Sequence, residues 1–221
     1  MEKKLAIIHT TPVTIDSLKA LASKYLPDYK VINIVDDSIL PELGENGGDI
    51  TAVQDRLIQY AKNAEHVGAD VILNACSSVG EVVQHMAEAV HIPIIRIDKA
   101  MAEVAVQNAG RIGVVATLAT TLNPTLRLIE NEAKRINKEV DIESALAEEA
   151  YKCLINGDSK GHDRILAEVL SALGDRTDIV VLAQASMARV VESLPVEKRH
   201  KFITSPELGM ERLAQTMKGT G

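Results

Sequence analysis

One thiol and a set of hydroxyls carry the chemistry that this chain suggests. Cys76 stands in "VILNACSSVGEVVQHM", residues 71–86, directly after an apolar run and directly before a helix-like pattern. A cysteine at the carboxyl end of a strand and the start of a helix faces backbone N–H groups and a helix dipole. Both favour an anion and lower a thiol's pKa from about 8.5. The flanking "NA" and "SS" are too polar for a core position, so the cysteine reads as functional and not as a small buried hydrophobe. Ser78 and Glu81 match a capping box that would fix the start of the helix.

The second cysteine, Cys153 in "EEAYKCLINGD", sits inside a helical pattern, where packing or incidental exposure explains it. The two cysteines lie 77 residues apart, in no spacing that would hold zinc. The remaining polar candidates fall at turns: Thr10 and Thr11, then Asn74 with Ser77 and Ser78, then Thr117, Thr120 and Thr121, then Gln184 and Ser186. Hydroxyls and amides beside helix N-termini suit a bound carboxylate or similar oxyanion. N-capping alone accounts equally well for Thr14, Asn123 and Ser186. His9 ends the first apolar run beside this turn, and a lone strand-end histidine reads as structural first and as a base second.

The elements that position these residues follow from periodicity. "KLAIIH" (4–9), "KVINIV" (30–35) and "DVILNA" (70–75) are short aliphatic runs, and amphipathic segments at 15–26 and 51–68 separate them. That order, β-α-β-α-β, predicts a parallel sheet covered by helices. Residues 36–50, "DDSILPELGENGGDI", read as a Gly- and Pro-punctuated loop with a lid among its expected roles. The second half repeats the first. "KLAIIHTTPVTI" (4–15) matches "RIGVVATLATTL" (111–122) at a shift of 107, and "DVILNACSSVG" (70–80) matches "DIVVLAQASMA" (178–188) at 108. Two pairs at nearly one offset indicate duplication. The fold class expected is therefore α/β, with two pseudo-symmetric domains, each a parallel sheet flanked by helices, and an active site in the cleft between them.

Composition sets outer limits. The chain has 221 residues, is 46% hydrophobic and carries a formal charge of −7, which argues against nucleic acid and anionic membrane as partners. Its N-terminal apolar run is too short for a signal peptide, and no segment reaches the length of a membrane span. With two unpaired thiols, the expectation is a cytoplasmic protein. A P-loop and a G-x-G-x-x-G fingerprint are absent, and no lysine stands in a context typical of pyridoxal phosphate, so no cofactor is expected.

These residues resemble the aspartate/glutamate racemase superfamily, nearest in style to its hydantoin-racemase-like branch. "NACSSVGE" is similar to the first thiol motif and "RIGVVATLATT" to the A-T-x-x-T turn that opens the second half. "DIVVLAQASMARV" occupies the place of the second thiol motif, and "ITSPELGMERL" is similar to the closing segment. The resemblance implies a cofactor-independent isomerase of a small carboxylate or amino-acid-like substrate, without a metal and dimeric. It implies domains at 1–97 plus 206–221 and at 98–205, the last helix returning to the first domain. Cys76 would be the first catalytic thiol. Ser77, Ser78, Thr117 and Thr120 would bind carboxylate or neighbouring polar groups beside the Thr10–Thr11 turn.

At the second thiol position stands Gln184, which the internal repeat also pairs with Cys76. A glutamine amide cannot act as a proton-transfer acid or base near neutral pH. Three readings stay open: a racemase, epimerase or isomerase working through one thiol; a single-cysteine lyase or decarboxylase; and a small-ligand-binding protein without catalysis.

Overall fold

The structure is a computed structural model and describes residues 2–184 and 187–219. It divides into two compact units, Met1–Ile97 with Pro206–Gly221, and Asp98–Ser205.

The first unit contains β1 (Lys3–His9), α1 (Ile15–Tyr25), β2 (Tyr29–Val35), α2 (Ile39–Glu45), α3 (Thr51–His66), β3 (Val71–Asn74), α4 (Val83–Glu88) and β4 (Ile94–Arg96). Its strands pair in parallel in the order β2-β1-β3-β4. β1 and β3 are central and buried on both faces, which is why their sequences are continuous aliphatic runs and not alternating ones. Successive side chains still point to opposite faces. Leu5, Ile7, Val71 and Leu73 meet Leu18 and Ala22 of α1, together with Met210 and Leu213 of the chain's last helix. Ala6, Ile8 and Ile72 meet Leu43, Val53, Leu57 and Met86 on the other face. Fully burying a leucine such as Leu57 stabilises by about 1.5–3 kcal/mol.

The second unit contains α5 (Lys99–Asn108), β5 (Arg111–Ala116), α6 (Ala119–Arg135), β6 (Asp141–Leu146), α7 (Glu148–Ile155), α8 (Ser159–Gly174), β7 (Ile179–Leu182), α9 (Ala188–Val191) and β8 (Phe202–Thr204). Its sheet is also parallel, in the equivalent order β6-β5-β7-β8. α10 (Ser205–Gly219) then packs on the first unit's sheet.

The duplication extends to the hydrogen-bond register. Leu5 pairs with Val71 and Ile8 with Asn74; Ile112 pairs with Ile179 and Val115 with Leu182. These pairs keep the sequence offsets of 107 and 108. Even the strand starts match: Asp70 Oδ2 accepts from the Lys4 N–H at 2.7 Å, and Asp178 Oδ2 from the Arg111 N–H at 2.8 Å. The α/β class and its two helix-flanked parallel sheets are as expected.

Residues 36–50 are not the long loop expected. Seven of them form α2, because Ile39 and Leu43 are fully buried and Arg56 pairs with both Glu42 and Asp36. Proline at position 41 falls in the first turn of α2, where its missing N–H costs nothing. A lid at 41–49 has no support from a segment anchored in this way. Among the described residues, no helix is long and apolar enough to cross a membrane.

Candidate active site

β3 ends at Asn74, and the chain turns at Cys76 into a six-residue 3-10 helix, Ser77–Val82. Asn74 is buried and shapes this turn. Its Oδ1 accepts from the Cys76 N–H at 3.0 Å, and its Nδ2 donates to the Val79 carbonyl at 3.5 Å. The Thr10 and Ser78 hydroxyls and the backbone N–H groups of Ser78 and Val79 lie around the thiol and favour its ionised form. Thr10, Ser77 and Ser78 are all buried. The structure thus brings Thr10, Asn74, Ser77 and Ser78 together around Cys76.

Two expectations about this turn need correction. Burial pushes the Cys76 thiol above its ordinary pKa, and the hydrogen bonds from Thr10, Ser78 and Val79 pull the other way without prevailing. The sequence predicted lowering, because it discloses the helix start but not the sum of burial around the sulfur. The segment is also 3-10 and short, so little macrodipole accumulates. The capping box is displaced as well: the N-cap residue is Cys76, two positions before Ser78.

His9 is fully buried, with Nδ1 2.8 Å from Thr14 Oγ1 and Nε2 3.0 Å from Asn33 Oδ1. Burial lowers its pKa, and the Asn33 contact only partly opposes this. With both ring nitrogens engaged, His9 braces the end of β1. Thr11 caps the 3-10 turn Pro12–Thr14 by accepting from the Val13 N–H at 3.4 Å.

In the second unit the equivalent turn is built differently. Gln184 Oε1 accepts from the Thr117 N–H at 2.7 Å and from the Thr117 hydroxyl at 2.8 Å. A backbone N–H can only donate, so the amide oxygen must face Thr117 and the amide NH2 must point away from it. The Thr117 hydroxyl has spent its single proton and offers only lone pairs. In this arrangement it offers its lone pairs to a donor group of a ligand. Thr120 is half-buried in the first turn of α6, and Thr121 is buried beside it. Ser186 lies outside the described residues.

The sequence reading overlooked Arg96, which closes β4 in register with Asn74. Its guanidinium lies over Gly80 of the 3-10 turn, where a Cβ would fall 2.6 Å from Nη2 and nearer still to Cζ and Nε. The available signal was an arginine at the end of "HIPIIRID", an otherwise apolar strand. It also missed Asp36, just past the end of β2, which accepts from the Tyr60 hydroxyl at 2.7 Å and from Arg56 at 3.2 Å. Those bonds and Ser38 hold the Asp36 carboxyl below its ordinary pKa against the opposing effect of burial.

Comparison with known proteins places this chain in a family. No curated protein matches the sequence. Solved structures agree in fold at low identity. A glutamate racemase, isoform RacE1, from Bacillus anthracis superposes with a TM-score of 0.76 at 16% identity, covering 99% of this chain and 83% of that one. An aspartate racemase from Picrophilus torridus gives 0.69 at 16%, covering 98% and 94%. Allantoin racemase from Klebsiella pneumoniae gives 0.67 at 17%, covering 99% and 89%. Residues 7–212 match the sequence profile of the Asp/Glu/hydantoin racemases, and the chain belongs to that family.

Proposed function

We propose that this protein is a cofactor-independent racemase, epimerase or isomerase of a small carboxylate or amino-acid-like compound, with Cys76 as its proton-transferring thiol. The observation that carries the reading is the surroundings of Cys76: a half-buried cysteine whose sulfur has the Thr10 hydroxyl and two backbone N–H groups around it. Those donors stabilise the thiolate once it forms. Burial makes that thiolate a stronger base than a solvated one, which suits removal of a weakly acidic proton next to a carboxylate. Family membership supports the isomerase class, and the hydantoin-racemase-like branch is the nearest in motif style. The same resemblance extends the proposal to a dimer, measurable by light scattering on the eluting protein.

One observation favours a second reading. Position 184, where the family's second thiol is expected, holds an amide oriented by Thr117. A single thiol that rests protonated is sufficient for a decarboxylase. The C–C bond breaks, CO2 leaves, the thiol proton passes to the remaining carbanion, and water reprotonates the sulfur. The two readings separate on product. Candidate amino acids, hydantoins and 2-substituted malonates are incubated with the protein while optical rotation and CO2 are followed. Loss of rotation without CO2 supports the isomerase, and CO2 release supports the lyase. If no substrate reacts but ligands bind, the protein is a binding protein and both readings fail.

A further inference from the structure

We propose that Arg96 is the carboxylate-recognising residue of the Cys76 site, and that Gly80 lacks a side chain so that the guanidinium can lie there. The inference rests on the functional reading of Cys76 and adds the group that selects an anionic substrate.

Three observations carry it. Arg96 ends β4 opposite Asn74, the residue that shapes the thiol turn, and the next residue, Ile97, donates its N–H to the Asn74 carbonyl at 3.1 Å. Strand end and thiol turn are therefore one rigid assembly. The guanidinium lies against the backbone of Gly80, in the same 3-10 turn whose Ser78 and Val79 N–H groups serve the sulfur. Gly80 is buried, whereas Arg96 keeps some exposure. Finally, the four strands of this sheet end in His9, Val35, Asn74 and Arg96. Burial lowers the pKa of His9, so Arg96 supplies the fixed positive charge among them.

The repeat adds a contrast. In the second unit the residue in the register position of Arg96 is Thr204, paired with Leu182 as Arg96 is with Asn74. At this register position a cation stands in the half that has the thiol and a threonine in the half that has the amide. A guanidinium carries five N–H donors in a planar fork that matches a carboxylate, so it can hold a protein acceptor and a ligand together.

The test needs no knowledge of the substrate. Iodoacetate is a carboxylate-bearing alkylating agent and iodoacetamide is its neutral counterpart. Rates at Cys76 are read by peptide mass spectrometry, which separates Cys76 from Cys153, with glutathione as the reference thiol. The iodoacetate-to-iodoacetamide ratio at Cys76 is expected to exceed that of glutathione. It should fall by about tenfold in Arg96→Gln, in line with the loss of one charge-assisted contact, while the iodoacetamide rate stays within about twofold. Arg96→Lys should retain part of the preference, and Gly80→Ala should lose it by displacing the guanidinium. An unchanged ratio in a folded Arg96→Gln protein overturns the proposal. That outcome leaves the role of Cys76 in proton transfer standing, because the alkylation ratio does not depend on turnover.

Discussion

Gln184 Oε1 takes both hydrogens that Thr117 can give, one from the backbone at 2.7 Å and one from the hydroxyl at 2.8 Å. In the first unit the residues at the same repeat positions are Cys76 and Thr10, where the threonine hydroxyl favours the ionised sulfur. A threonine stands beside its repeat partner in both units, while that partner is a titratable thiol in one and a neutral amide in the other. This is a change of chemistry on a conserved architecture within one chain.

Removing the amide leaves the Thr117 N–H without its acceptor. Gln184→Ala is expected to destabilise by about 1 kcal/mol, whereas Gln184→Glu keeps both hydrogen bonds and costs less. Urea denaturation of the two variants checks this. Equal midpoints for both would contradict the assigned orientation of the amide.

The Cys76 thiol should titrate late. Iodoacetamide alkylation at Cys76, followed against pH, is predicted to have its midpoint above the ~8.5 of an unperturbed thiol. Thr10→Val removes a donor that stabilises the thiolate, so its midpoint should move higher still. A wild-type midpoint below that of glutathione would contradict the account of burial given above.

His9 links stability to pH. Its folded pKa lies below its ordinary value, so the neutral ring is favoured in the fold. The stability it contributes is fully present above about pH 6.5, the unfolded value, and is lost as pH falls from there through the folded pKa. His9→Gln keeps hydrogen-bonding capacity without titrating in that window. Its melting temperature should therefore vary less than that of wild type between pH 6.5 and the onset of carboxylate protonation. Parallel curves for both proteins would remove His9 from the explanation.

Gly209 marks the tightest seating of α10. A Cβ there would lie 2.8 Å from the Ile97 side chain and closer still to the Ile97 carbonyl oxygen, which is backbone and cannot rotate away. Gly209→Ala is predicted to destabilise the protein by about 1–3 kcal/mol, read as a lower denaturation midpoint. An unaffected midpoint would mean that the helix shifts at no cost.

Much of the fold was legible because it follows from local pattern. The aliphatic runs at 4–9, 70–75, 111–116 and 179–182 have the length and flanking turns of buried strands, and the offsets of 107 and 108 reappear as the pairing register. Cys76 was also legible, as a thiol at a polar seam. What escaped depends on neighbours distant in sequence. Residues 39–45 are helical because Ile39 and Leu43 find a core and Arg56 finds Glu42, none of which their Gly- and Pro-rich context reveals. The direction of the Cys76 pKa depends on how many groups enclose the sulfur, and the role of Arg96 depends on where a long side chain comes to lie. The engagement of Thr117 by Gln184 spans 67 residues, a pairing that only the folded chain brings about.

In the proposed reaction Cys76 moves the proton. The most direct measurement follows incorporation of deuterium from D2O at the carbon next to the carboxylate of a turned-over substrate, comparing wild type with Cys76→Ala. The account predicts incorporation by wild type and a loss of at least about a hundredfold in the variant, the scale of one general acid–base group. Incorporation at the wild-type rate by a folded Cys76→Ala protein would contradict it.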